Sequence, residues 1–122
     1  MDFKLELVAI PVTDVDRAKD FYVKAGFNAD HDFQVKDGLR FVQLTPQGSA
    51  CSICIGDGVT DAAPGSVVGM QCVVDDAEAA RDFLREQGID ASDVDEHPWG
   101  RFVYFSDPDG NGWALQQIVP QG

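Results

Sequence analysis

At 122 residues and 44% hydrophobic, the chain is long enough for one domain with a real core and too short for two independent ones. Its 9 basic and 21 acidic residues leave a formal charge of -12, which repels phosphate backbones and anionic lipid, so neither nucleic acid nor membrane is an expected partner. Three cysteines, an odd number, do not make a disulfide framework and fit a reducing, cytoplasmic setting.

Met1 to Glu6 alternates into a strand and does not read as a signal peptide, and no apolar run along the chain approaches the length that spans a bilayer. The first strand is expected over 5–12, before Asp14, a residue suited to helix capping. In the helix that follows, Val15, Ala18, Phe21, Tyr22 and Ala25 share one face, and Gly26 stands where a C-terminal cap adopts positive φ. Strands are expected over 28–36, 39–45 and 50–56, and the Gly, Asp, Ala and Pro of 56–66 read as a joint. The order then recurs: a strand over 67–74, capping Asp76, a helix carrying Ala80, Phe83 and Leu84 before Gly88, and strands over 91–97, 101–106 and 112–119.

The recurrence holds residue by residue. A shift of 62 positions carries Val12 onto Val74, Asp14 onto Asp76, Ala18 onto Ala80, Phe21 onto Phe83 and Gly26 onto Gly88, and it overlays Thr45-Pro-Gln-Gly48 on Asp107-Pro-Asp-Gly110. The chain is therefore read as a single α+β domain, 1–122, of two tandem βαβββ modules: module one over 1–58, the joint over 56–66, and module two over 66–122.

The stretch Val12-Thr-Asp-Val-Asp-Arg-Ala-Lys-Asp-Phe-Tyr22, the glycine that ends its helix, and Phe105-Ser-Asp-Pro-Asp-Gly-Asn-Gly-Trp113 resemble the signature segments of the vicinal oxygen chelate superfamily, of glyoxalase, bleomycin-resistance protein and extradiol dioxygenase type. With the repeat, the resemblance covers nearly the whole chain. It implies an open eight-stranded cup, formed within one chain or between swapped chains, with metal ligands projecting inward from the first and last strands of each module. It does not choose among the metal-dependent isomerases, thiol transferases, dioxygenases and metal-free drug-sequestering proteins that use this cup. The ligand positions it implies fall on Leu7, Ser52, Gly69 and Ala114, which offer one neutral hydroxyl where a divalent ion needs three or four His, Cys, Asp or Glu donors. No metal and no other cofactor is expected.

Other constellations read as structural. His31 and His97 lie among acidic residues on middle strands, where solvated surface competes with an unorthodox metal or acid–base site. Cys51-Ser-Ile-Cys54 has redox spacing, but a strand puts residues three apart on opposite faces, so Cys54 faces the cup with Ser52 while Cys51 joins Ile53 and Ile55. Asp107-Pro-Asp-Gly-Asn111 lacks the glycine position and the bidentate Glu of a calcium loop and reads as a tight turn.

Strand parity gives the expected ligand pocket: Leu7, Ala9, Ser52, Cys54, Gln71, Ala114 and Gln116, with Trp99, Arg101 and Tyr104 closing over the mouth. Apart from Arg101, that lining is apolar with two amides and no carboxylate, which suits an uncharged or aromatic organic molecule. The leading expectation is a metal-free small-molecule-binding protein. The alternative is a lyase, isomerase or related enzyme of the same superfamily, with a displaced or absent metal and Cys54, His97 or Tyr104 as catalytic groups, and a protein-interaction module is a third. A homodimer is expected because open sheet edges gain from burial against a copy.

Overall fold

A computed structural model describes residues 1–120. The elements run β1 (Leu7–Ala9), α1 (Val15–Lys24), β2 (Phe27–Lys36), β3 (Leu39–Pro46), β4 (Ser52–Asp57), β5 (Met70–Val73), α2 (Ala77–Glu86), β6 (Asp95–His97), β7 (Gly100–Ser106) and β8 (Gly112–Gln117). They form two four-stranded mixed sheets, ordered β1-β4-β3-β2 and β5-β8-β7-β6. Each sheet has one parallel pair, β1 with β4 and β5 with β8, as a βαβββ chain path requires. The α+β architecture expected from the repeat is thus present.

Two compact units emerge: Met1–Ser66 with Asp107–Asn111, and Val67–Ser106 with the chain from Gly112 onward. In the first, Asp14 caps α1 by accepting from the Arg17 amide at 3.0 Å, and Gly26 follows the helix at φ 101°. The apolar face of α1 then buries Val15, Ala18 and Tyr22 against the inward set of β3 and β4, namely Val42, Leu44, Ile53 and Ile55. All four of those strand residues are at most 2% exposed, so this is the unit's core. Along its rim Arg40 bridges Asp32 and Asp16, and Lys19 also reaches Asp32 at 2.9 Å. These cations, Arg40 foremost, hold the Asp32 carboxyl well below the usual carboxylate range.

The Asp107–Asn111 turn completes the first unit with buried polar groups. Asp107, 4% exposed, accepts from the Tyr22 hydroxyl and from Asn111 Nδ2, both at 2.8 Å. Its other oxygen accepts from the backbone amides of Asp109 and Asn111 at 3.0 and 2.9 Å. Asn111 also donates to the Pro11 carbonyl at 2.8 Å, and Asp109 accepts from the Thr13 hydroxyl at 2.7 Å. The tight turn expected here is present, and it is also a fastening point.

In the second unit Asp76 caps α2 at the Ala79 amide. Ala77, Leu84, Ile89, Ala91, Val103, Phe105 and Trp113 make the core, with the Phe105 and Trp113 rings stacked at 6.1 Å. Phe83, expected on the buried face, is 43% exposed.

The gapless repeat does not survive pairing. Ile55 pairs with Val42, yet 62 positions on, Gln117 pairs with Arg101, which lies 59 beyond Val42. The reason is the turn: Asp107 and Asn111 close on each other through an amide–carbonyl bond, so pairing begins at once with Ser106 and Gly112, whereas in the first unit it begins only at Leu44 and Ile53. The parallel pair slips as well, because Leu7 stands beside Ser52 but Ala114 stands beside Gln71, not Gly69.

Candidate functional site

The second sheet packs one face against α2 and leaves the other open. Register places Gln71, Ala114 and Tyr104 in one row across the open face, and Val73, Gln116, Phe102 and Asp95 in the next. Tyr104 is 42% exposed and Val73 65%, so large apolar surface stands uncovered within this unit. Beside the first row lies a cavity of about 650 Å³, lined by Gly69, Ser92, Tyr104, Ser106 and Ala114 among others.

Four rings run along this face from the cavity outward. Tyr104 stacks on Phe102 at 6.1 Å, Phe102 meets the edge of His97 at 5.6 Å, and His97 stacks on Trp99 at 4.8 Å with planes 15° apart. Trp99 is 60% exposed and ends the row. Asp95 ties the row together, since Tyr104 Oη donates to its Oδ2 at 3.0 Å and His97 Nε2 lies 2.9 Å from the same oxygen. The His97 hydrogen bond first, and Tyr104 second, hold the Asp95 carboxyl below its ordinary value. The Tyr104 hydroxyl is pushed up, by desolvation first and then by the neighbouring carboxylate.

The two amides anticipated on this face bond to each other. Gln71 Nε2 donates to Gln116 Oε1 at 2.6 Å, and Gln116 Nε2 reaches the Trp99 carbonyl at 3.3 Å. Gln116 lies across Gly100, where even a Cβ would stand 2.7 Å from its Nε2. Arg101 does not join this group. It sits on the helix-covered side, its guanidinium bonded to Glu78 of α2 at 2.8 Å and to Glu96 at 2.9 Å. The open face also carries a carboxylate where none was expected: Asp95 is two residues from His97 on one strand, a spacing that puts both on one face, and Asp90 is among the residues lining the cavity.

In the first unit the sheet face away from α1 carries Leu7 and Ala9 beside Ser52 and Cys54. Ser52 is buried, its Oγ 2.6 Å from Thr45 Oγ1 and accepting from Gln43 Nε2 at 3.3 Å. Thr45 in turn donates to Asp30, which also accepts from Asn28. Cys54 is 4% exposed and burial pushes its thiol up, which disfavours the thiolate a nucleophile needs. Cys51, Cys54 and Cys72 form no disulfide among the described residues. His31 is exposed and stacks on Phe33 at 5.6 Å.

These residues do not fit a divalent metal. Leu7, Gly69 and Ala114 have no donor, the Ser52 hydroxyl is engaged by Thr45 and Gln43, and Gln71 adds only an amide already bonded to Gln116. Among the described residues no three His, Cys, Asp or Glu side chains stand close enough to share an ion. Nor is any described helix long and apolar enough to cross a membrane.

Comparison with known proteins places this geometry among relatives. The model of the Glyoxalase/Bleomycin resistance protein/Dioxygenase superfamily matches residues 4–115. The chain is similar to TnmS3, an antibiotic binding protein from Streptomyces sp. CB03234, with 36% identity, a TM-score of 0.87, and 97% of this chain and 98% of that one covered. It is similar to a glyoxalase/bleomycin resistance protein from the same strain, at 37% identity and TM-score 0.81, covering 93% of this chain and all of the other. A superfamily member from Sphaerobacter thermophilus DSM 20745 shares 30% identity at TM-score 0.82, over 95% and 98% of the two chains. No curated protein matches.

Proposed function

The chain belongs to the glyoxalase/bleomycin resistance protein/dioxygenase superfamily, and we propose that it works there without a metal, as a protein that binds an uncharged or aromatic organic molecule. The observation that carries this reading is the row Tyr104–Phe102–His97–Trp99 beside the cavity that Tyr104 lines. The exposed rings at the two ends of the row, Trp99 and Tyr104, favour a flat ligand, and the donor set at the superfamily's ligand positions supports metal-free binding over Lewis-acid catalysis. The likeness to an antibiotic binding protein supports binding as the function. In the proposed site Tyr104, Ala114, Gln71 and Gln116 line the floor and Trp99 stacks on the ligand, while Leu7, Ala9, Ser52 and Cys54 belong to the other sheet, on its face away from α1, and Arg101 to neither.

Acridone, flat and uncharged, tests this by fluorescence titration. Trp99→Ala is expected to weaken its binding by about 1 to 3 kcal/mol, the worth of one aromatic stack, with the fold unchanged by circular dichroism. Undiminished affinity in that variant, or a screen that returns only anionic binders, would overturn the reading.

The proposal includes a homodimer. Phe3, Leu5 and Leu7 leave alternate apolar side chains exposed along and before edge strand β1, at 87%, 74% and 39%. Light scattering at micromolar concentration is expected to give twice the chain mass, and a monomer would contradict it.

A further inference from the structure

We infer that Asp95 sets the charge preference of this site, so that the ligand is a flat aromatic cation held through Asp95 Oδ1. This rests on the binding reading above and names the ligand class for it. Both hydrogen bonds that orient the carboxylate fall on Oδ2, from Tyr104 on β7 and His97 on β6. Oδ1 accepts nothing among the described residues, and the side chain is 48% exposed. One oxygen is thus fixed by the aromatic row and the other is presented beside it.

Among the described residues of this unit, no fixed positive charge is left to neutralise that oxygen. From Val67 to Ser106 the chain has nine acidic residues and three basic ones, with no charged residue from Gly112 onward. Each of the three is committed: Arg81 to Asp82, Arg85 to Asp93, and Arg101 to Glu78 and Glu96 on the far side of the sheet. A cation stacked on Trp99 or Tyr104 would meet the negative faces of the rings and the carboxylate together, whereas an anion would meet both unfavourably.

Three acridines of one planar frame separate charge from shape: 9-aminoacridine as cation, acridone as neutral, and acridine-9-carboxylate as anion. Binding is measured by fluorescence anisotropy at about 0.15 M salt, where surface charges are largely screened. The wild type is expected to favour 9-aminoacridine over acridone by about tenfold, with the carboxylate weakest. Asp95→Asn, which keeps the shape of the side chain, is expected to bring cation and neutral to near parity while acridone affinity changes less than about twofold. Tyr104→Phe keeps the ring and removes one of the two bonds on Oδ2, and is expected to reduce the preference about threefold; it serves equally if the Asn variant folds poorly. Asp75→Asn, an equal change in net charge elsewhere in the unit, is expected to leave the preference intact. A preference that survives both Asp95→Asn and Tyr104→Phe, or acridone and 9-aminoacridine binding equally to the wild type, overturns the inference and leaves the binding reading standing. If none of the three binds, the binding reading fails and this inference with it.

Discussion

Asp107→Ala is expected to lower the unfolding free energy by about 3 to 5 kcal/mol, because it strips three buried donors and one half-buried donor of one acceptor. The Tyr22 hydroxyl, Asn111 Nδ2 and the amides of Asp109 and Asn111 all converge on this carboxylate, and Tyr22 and Asn111 are completely buried. Removing the acceptor takes a bond from each of these donors, and three of the four bonds lie where water enters only by opening the turn. Tyr22→Phe is the milder test, since the carboxylate keeps three of its four bonds, and about 1 to 2 kcal/mol is expected. Urea unfolding distinguishes the cases: both variants should move the midpoint with the slope unchanged, in that order. A midpoint for Asp107→Ala within about 1 kcal/mol of wild type would mean that this turn is not a fastening point.

That turn shows what kind of information the sequence carries. Local signals were legible: Asp14 and Asp76 read as caps and they cap, and Gly26 and Gly88 follow their helices at positive φ. Alternation also sorted faces correctly where two residues lie on one strand, as with Ile53 and Ile55 in the core and Ser52 on the other side. Parity does not give offset, however. A parallel pair displaced by two residues keeps every side chain on its face, so the slip that puts Gln71 beside Ala114 leaves no trace in the alternation. The docking of Asp107 onto Tyr22 joins residues 85 apart and is likewise invisible to local pattern.

The two changes to the candidate site were closer to reach. Arg101 and Tyr104 are three apart on β7, so the pleat alone forbids them a common face, and the ion pairs of Arg101 with Glu78 and Glu96 confirm which side it takes. Asp95 shares parity with His97, and that spacing marks it as a member of the same face before any fold is drawn. What spacing could not supply is that Tyr104 reaches across from the neighbouring strand to the same oxygen, turning a surface acid into an oriented one.

Gly56→Ala is expected to destabilise by about 3 kcal/mol or more, although the sequence marks this glycine only as the end of a strand and the start of a joint. It is the next-to-last residue of β4, paired with Phe41, and a Cβ there would stand 1.8 Å from the Arg40 carbonyl oxygen and 2.9 Å from its carbon. Both are backbone atoms, so no rotamer change relieves the overlap. The ladder must open at Phe41 and at the Arg40–Asp57 pair, and moving Arg40 disturbs its bonds to Asp32 on β2 and Asp16 on α1. Gly48→Ala provides the contrast. At φ +81° with nothing within 4 Å of the added carbon, it carries only the strain of a left-handed residue, about 1 kcal/mol. Denaturant midpoints of the two variants, with hydrogen exchange at the Arg40 and Asp57 amides, separate steric contact from backbone strain. Equal midpoints, or unchanged protection at those amides in Gly56→Ala, would show that the strands do not approach as closely as the structure has them.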